Sequence, residues 1–228
     1  MLAARLASLR PALASGPRAP HRVTLATGNE SGDMDSVVCA IVHSIFSNSY
    51  KTATQEQRLV LPFLNFRKKD LRLRKDIVIC LERAKIDPEL LFYVDDLSQD
   101  GILGSDVIGD VVLLDHNAEQ GSIARLLKEN QSIRVSGIID HHQDEKQHLD
   151  AVPRIIEKTG SCSSLVWDYW RETVTLRPEA LGDREALTDV IELLSAPLVL
   201  DTTNCTSKME KSPPFISLFY ARIFVRKQ

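Results

Sequence analysis

Residues 137–142 read Gly-Ile-Ile-Asp-His-His, and this stretch decides the predicted fold. An apolar run over residues 135–139 is typical of a buried strand, and it is followed at once by Asp140, His141 and His142. In an α/β sheet these side chains would project from the carboxyl end of the strand, where ligands bind. The alternative is an aspartate that caps the next helix, followed by two solvated imidazoles. We interpret the stretch as a strand that ends in a metal site.

Other apolar runs along the chain also precede acidic residues. Strands are predicted over residues 23–27, 59–65, 91–94 and 111–114, and helices over 37–46, 77–85, 123–128, 165–170 and 185–195. This β-α-β alternation indicates an α/β fold with a doubly wound, mainly parallel sheet. The strand ends bring one set of side chains to a common edge, namely Asp33, Asp35, Asp115, Asp140, His141 and His142. Asp201 follows a further apolar run, over residues 197–200.

The segment over residues 28–36 contains two glycines and several short polar residues, which predicts a loop. Asp33 and Asp35 alternate, so both could face a common ion from an extended loop. The alternative is a helix start with Asp35 or Ser36 as the N-cap. The two interpretations are compatible.

Two segments could bind anions. Residues 67–76 carry six basic side chains near a predicted helix start, which could hold a polyanion or could form a solvated face. Residues 159–164 form a turn rich in glycine and serine before a helix, whose N–H groups and hydroxyls could bind phosphate. An ordinary serine N-cap would explain much of the second segment.

Composition excludes several classes of protein. The 228 residues carry 28 Lys and Arg against 31 Asp and Glu, a formal net charge of -3, so a nucleic-acid coat is disfavoured. The four scattered cysteines form no CxxC pair, which disfavours a zinc ribbon and indicates free thiols in an intracellular protein. No apolar run approaches the roughly 20 residues of a membrane-spanning helix, so no membrane partner is expected.

The chemistry of the acidic edge indicates divalent cations. Carboxylates with a minority of imidazole suit Mg²⁺ or Mn²⁺, and Co²⁺ is possible. One ion could hardly neutralise four or more carboxylates, so we expect two ions per site, which share a carboxylate and an activated water. Such sites hydrolyse phosphate compounds.

Four ordered motifs resemble those of the DHH phosphoesterase superfamily: residues 29–36, 114–117, 137–142 and 200–204. Residues 28–31, 70–74 and 160–166 are most similar to the fungal exopolyphosphatase, close to the prune proteins, within that superfamily. Family II inorganic pyrophosphatases are further relatives; they have a metal-binding histidine where this chain has Asn29. That difference favours the exopolyphosphatase branch and makes Mg²⁺ more acceptable than a softer ion.

The resemblance implies a role for each matching residue. Asp33 and Asp115 would bind one metal ion, and Asp35, Asp115, His141 and Asp201 the other, so that Asp115 bridges the two. His142 would touch the phosphate or donate a proton to the leaving group, and Asp140 would orient the histidine pair; Asp115, Asp140 and His142 form the implied catalytic set. The implied phosphate-binding residues are Asn29, His142, Ser161, Ser163 and Arg74.

These observations predict an exopolyphosphatase-type hydrolase that releases orthophosphate from polyphosphate ends by attack of a bridging hydroxide. The alternatives are an inorganic pyrophosphatase or nucleotide phosphodiesterase of the same superfamily, or a truncated, non-catalytic product that binds metal or a protein partner of unknown identity.

The predicted domain organisation has three parts. Residues 23–204 form the DHH domain, and residues 205–228 stand where relatives carry a second α/β domain that closes over the site. Residues 1–22 are rich in arginine without acidic residues, which suits a short surface helix, over residues 2–9 and ended by Pro11, or a mitochondrial presequence. We therefore predict a cytoplasmic protein, with the mitochondrial matrix as the alternative.

Overall fold

A computed structural model describes residues 2–13, 22–51, 58–97, 103–104, 106–182 and 184–204. The predicted tail over residues 205–228, and residues 14–21 of the predicted N-terminal extension, lie outside these ranges. Among the helices described, none is both long enough and apolar enough to cross a membrane.

A parallel β-sheet forms the centre of the described part of the chain. Every strand pairing in it is parallel, and the order across the sheet is β3-β2-β1-β4-β5-β6. All residues of the adjacent strands β2, β1 and β4 are buried, which explains their largely apolar sequences. The predicted fold class, α/β with a doubly wound, mainly parallel sheet, is confirmed. The strands are β1 (Val23–Thr27), β2 (Leu59–Leu64), β3 (Phe92–Tyr93), β4 (Ile108–Leu114), β5 (Arg134–Asp140) and β6 (Arg154–Ile156).

The strand order reverses between β1 and β4. From β1 the chain proceeds outward to β2 and β3, returns to β4 beside β1, and then proceeds outward in the other direction to β5 and β6. Connections that leave β1 and β4 therefore diverge and open a crevice at the carboxyl ends of these strands, where open α/β sheets bind ligands. The loop after β1, Asp115 after β4 and His141 after β5 all lie at this edge.

Three long helices cover one face of the sheet. The helices α3, α6 and α7 pack against one another, while α3 contacts β1, β2 and β4, and α6 contacts β5. The helices are α1 (Leu2–Ala7), α2 (Leu9–Leu13), α3 (Met34–Ser49), α4 (Lys75–Arg83), α5 (Gly121–Glu129), α6 (Cys162–Leu176) and α7 (Arg184–Asp201).

The first residues form two short helices instead of one. The side chains of Leu2, Leu6 and Leu9 are buried, and α1 packs against α3 and α7. Pro11 does not end the helix, because it lies in the first turn of α2, where a missing N–H removes no intrahelical hydrogen bond.

The secondary structure differs from the predicted strand over residues 91–94 and adds two features that were not predicted. The strand predicted over residues 91–94 comprises only Phe92–Tyr93, because the Asp96 carboxylate accepts the N–H of Tyr93 and the chain turns into a 3₁₀ helix. Residues 197–200 continue α7, whose Leu194 and Leu198, four residues apart, are both buried. The strand β6 was missed, because three residues are too few to show a period.

Candidate metal centre

Asp115 lies directly after β4 at the centre of the acidic edge and is almost fully buried. Its φ of 64° lies in the left-handed region, which aspartate tolerates better than most residues, and its N–H donates to the Ile139 carbonyl at 3.0 Å. The Oδ2 atom accepts hydrogen bonds from Asn29 Nδ2 (3.0 Å) and Ser36 Oγ (2.8 Å). Within the described part of the chain, the buried Oδ1 atom has no well-aligned donor. Asp115 Oδ1 is therefore an orphaned acceptor at the carboxyl edge of the sheet.

His141 presents one ring nitrogen to Asp115. Its Nδ1 atom lies 2.8 Å from the Thr159 carbonyl, which fixes Nδ1 as the donor and leaves the lone pair of the neutral ring on Nε2. Nε2 lies 3.1 Å from Asp115 Oδ1 and 4.0 Å from Asp35 Oδ2. A histidine oriented in this way by a backbone carbonyl is the usual arrangement of a metal ligand.

His142 is held by a buried carboxylate. Its Nδ1 atom lies 2.8 Å from Asp140 Oδ1, and the fully buried Asp140 also accepts a hydrogen bond from Asn117 Nδ2. Burial raises the pKa of Asp140, but the hydrogen bonds from His142 and Asn117 outweigh it and hold the pKa below its usual value. The hydrogen bond with Asp140 raises the pKa of His142 against the effect of burial. The buried Asp140 carboxylate therefore favours the protonated form of the more exposed His142 ring.

Asp35 interacts with the N-terminus of α6. Its carboxylate accepts hydrogen bonds from the N–H of Cys162 (2.6 Å) and of Ser163 (2.9 Å), where the helix dipole favours a negative charge. Ser161, the N-cap of α6, and Ser163 are buried and bond to each other. Asp35 therefore occupies the helix N-terminus that was predicted to bind phosphate, and the phosphate-binding role of Ser161 and Ser163 stays a prediction.

Asp33 is the N-cap of α3, and its Oδ1 atom accepts the Ser36 N–H at 2.9 Å. Asp35 lies in the first turn of the helix, so the extended-loop alternative and the predicted caps Asp35 and Ser36 are corrected. Asn29 Nδ2 donates to Asp33 Oδ2 (3.3 Å) as well as to Asp115, and Asn29 Oδ1 accepts the Gly32 N–H (2.9 Å). Asn29 thus links two predicted metal ligands, and these bonds engage the amide that was predicted to contact phosphate.

Asp201 is the last residue of α7 and is exposed to solvent. Loss of hydration and the negative charges of Asp35 and Asp33 raise its pKa to about 7. The end of a helix, rather than of a strand, therefore brings Asp201 toward the acidic edge.

The two buried carboxylates of the site, Asp35 and Asp115, repel each other. Burial and the charge of Asp115 raise the pKa of Asp35 to about 7, and burial also raises the pKa of Asp115. Burial lowers the pKa of His141, but the Asp115 carboxylate close to Nε2 and the charge of Asp35 outweigh it and raise that pKa to about 9. Carboxylates that repel one another in a buried place are stabilised by a bound cation.

The donor set fits a divalent cation. Ligand atoms of Asp115, His141 and His142 all lie within 4.8 Å of one another. Since His142 Nδ1 donates to Asp140, we regard Asp115 Oδ1 and His141 Nε2 as the centre of the metal site, with Asp35 beside them. Among the described residues, this cluster contains neither Asp33 nor Asp201.

Residues 24–195 match the DHH family, N-terminal domain. The chain belongs to the DHH family. A fission-yeast protein, named "Putative exopolyphosphatase", is 34% identical over 184 residues, which cover 79% of this chain and 45% of the relative. The human exopolyphosphatase PRUNE1 is 26% identical over 196 residues, which cover 86% of this chain and 40% of the relative. The chain therefore spans less than half the length of these two relatives.

A solved structure shows the same fold. An exopolyphosphatase-related protein from Bacteroides fragilis superimposes with a TM-score of 0.58 at 13% identity, covering 98% of this chain and 57% of that chain. At this identity the likeness shows the fold of the DHH domain alone.

Sequence reasoning gave no role to three residues that organise this DHH site. Asn117 joins Asp140 to the loop after β5, Ser36 donates to Asp115, and the Thr159 carbonyl orients His141. Asn117 and Ser36 lie inside two of the four DHH motifs, so their position in the sequence could have indicated a role in the site. Thr159 acts through its backbone, which leaves no mark in the sequence.

Proposed function

We propose that this DHH chain is the metal-binding part of an exopolyphosphatase-type hydrolase, which releases orthophosphate from the ends of polyphosphate. The observation that carries the proposal is the pair formed by His142 and the buried Asp140 beside the orphaned oxygen of Asp115. The names of the fission-yeast and human relatives support the substrate class.

The residues that would hold the cations are Asp115, His141 and Asp35, with Asp33 and Asp201 at the rim, and we propose Mg²⁺ or Mn²⁺, two per site, with Co²⁺ possible. When bound, such ions supply a Lewis acid for phosphoryl oxygens and lower the pKa of water.

In this proposal, His142 is the general acid. Its raised pKa favours the protonated ring, and because Nδ1 interacts with Asp140, the proton on Nε2 is the one that can pass to the leaving phosphate oxygen. Asp140 is the positioning residue, because it holds the ring and stabilises its charge. Asn117 in turn fixes Asp140.

The test is orthophosphate release from long-chain polyphosphate and from pyrophosphate, with Mg²⁺ or Mn²⁺ or with EDTA. Release should require the ion, fall at least about 100-fold in Asp115→Asn and His142→Gln, and persist in the matched variant His148→Gln. His148 lies outside the cluster and is paired with Glu119.

The rate on each substrate separates the exopolyphosphatase from the pyrophosphatase alternative. Release without added ions, or unaffected by Asp115→Asn, would contradict the proposal. Ion binding by calorimetry without any release would favour the non-catalytic alternative.

A further inference from the structure

A cavity of about 550 Å³ lies beside the loop that follows β1. The same loop borders the candidate metal centre, because Asn29 donates to Asp115 while Glu30 lines the cavity. At Gly32, with φ of 55°, a Cβ atom would lie 2.4 Å from the Phe66 ring and 3.5 Å from Arg74 Nη2. Glycine therefore lets the loop pack directly on the Arg74 and Phe66 side chains that form the cavity wall. The volume is in the range of small-molecule sites, roughly 300–1,000 Å³.

Three guanidinium groups line this cavity, which we call the arginine pocket: Arg67, Arg74 and Arg125. Arg67 follows β2, Arg74 directly precedes α4 and Arg125 lies in the middle of α5, so the fold brings together residues from distant parts of the chain. Within the described ranges, none of the three forms an ion pair, although the carboxylates of Glu30 and Asp70 also line the pocket. The side chains of the pocket carry a net positive charge.

The Arg74 side chain packs on an aromatic ring, and its Nε atom lacks a hydrogen-bond acceptor among the described residues. Its guanidinium lies 4.6 Å from the centre of the Phe66 ring, and its Nε atom is buried without a hydrogen bond to the described residues. A buried, unpaired donor is costly, and a bound anion would supply the missing acceptor. Arginine binds phosphate oxygens in a bidentate manner, which makes it well suited to this task.

Only some of the basic residues in the run over residues 67–76 line the arginine pocket. Arg67 and Arg74 line it, whereas Lys68 forms an ion pair with Glu89 and does not. Arg125, which lies outside the run, completes the set.

We propose that the arginine pocket binds the phosphate groups of polyphosphate that lie away from the cleaved end, and that it thereby favours long chains over pyrophosphate. This inference rests on the proposed function for its substrate. The loop after β1 borders both places, because Asn29 donates to Asp115 and the next residue, Glu30, lines the pocket.

The experiment measures binding of inorganic tripolyphosphate to the whole chain by calorimetry, in EDTA and at fixed ionic strength, so that no hydrolysis occurs. The variants are Arg67→Gln and Arg125→Gln, both at exposed positions, and Lys128→Gln is the matched control. Lys128 lies on α5 with Arg125 but does not line the pocket. Each arginine variant should bind about tenfold more weakly, and the control should bind as the unmodified chain does. Equal thermal midpoints would show that all variants are folded.

Unchanged binding in the arginine variants, an equal loss in Lys128→Gln, or no binding by the unmodified chain would overturn the inference. With an active enzyme, the arginine variants should raise KM for long-chain polyphosphate about tenfold and leave KM for pyrophosphate unchanged. If no hydrolysis is found but the arginine variants lose binding, the proposed function fails and the pocket stands. If hydrolysis is intact and the arginine variants bind tripolyphosphate as the unmodified chain does, the inference about the pocket fails and the proposed function stands.

Discussion

At the scale of single residues, the site depends on a few contacts around the buried carboxylates of Asp115 and Asp140. Asp115 owes its burial to the left-handed turn after β4, and His142 owes its raised pKa to Asp140, two positions earlier in the chain. The three residues of the motif Asp140-His141-His142 thus have different surroundings. Asp140 contacts the ring of His142, His141 faces Asp115, and His142 is the most exposed of the three.

Replacing Asp140 by Asn should shift the pH profile of phosphate release. The hydrogen bond with the carboxylate raises the pKa of His142, so its loss lowers that pKa and moves the alkaline limb of the profile to lower pH. We expect kcat near pH 8 to fall roughly 10- to 100-fold, and less at lower pH. The variant Asp144→Asn, which changes an exposed carboxylate paired with Arg154, is the control and should keep the original profile. An equal loss at every pH would contradict the role given to Asp140.

At the scale of secondary-structure elements, the N-terminus of α6 shows what a local sequence pattern leaves open. The turn rich in glycine and serine was recognised as an anion-binding helix start, and an anion is indeed bound there, but it is the carboxylate of Asp35 from α3. The contact ties α3 to α6 over the end of the sheet. Local sequence shows that N–H groups are available but not which anion reaches them.

Removing the Asp35 carboxylate should affect the free energy of unfolding in two opposite ways, through lost repulsion and through lost hydrogen bonds. Two variants separate these effects. Asp35→Asn removes the repulsion with Asp115 but keeps an oxygen for the N–H groups of Cys162 and Ser163. Asp35→Ala leaves the buried N–H of Cys162 without an acceptor and the N–H of Ser163 with only Ser161 Oγ at 3.2 Å, which costs about 1–3 kcal/mol. In urea unfolding with EDTA, the alanine variant should therefore be less stable than the asparagine variant by that amount. Equal stabilities would show that Asp35 does not hold α6.

At the scale of the whole molecule, stability should depend on pH and on bound cations together. Burial opposes the charged form of His141, but Asp115 and Asp35 raise its pKa from 6.5 to about 9 in the folded protein. The folded state then binds more protons than the unfolded state, so its stability falls as pH rises between these values. The pKa of Asp35, raised to about 7, acts in the same direction at lower pH.

Thermal or urea unfolding in EDTA should accordingly show a loss on the order of 2 kcal/mol between pH 6.5 and pH 9. Mg²⁺ at about 100 times its dissociation constant should restore about 2.7 kcal/mol, with tighter binding at higher pH because the ligands are then deprotonated. The variant His141→Gln should flatten the dependence on pH and weaken the effect of Mg²⁺. A stability that rises from pH 6.5 to pH 9 in EDTA would contradict this account.

The sequence by itself determined the α/β class, the central strands and the acidic residues at their ends, because buried parallel strands need continuous apolar runs and the motif residues are contiguous. Only the tertiary structure decided which side chains meet: Asp115 with His141, Asp35 with the start of α6, and Asp201 at the end of a helix. It also decided that Arg125 joins Arg67 and Arg74 around one cavity. Such meetings depend on the order of strands in the sheet and on loop conformations, which place residues far apart in sequence within a few ångströms and leave no local pattern to read.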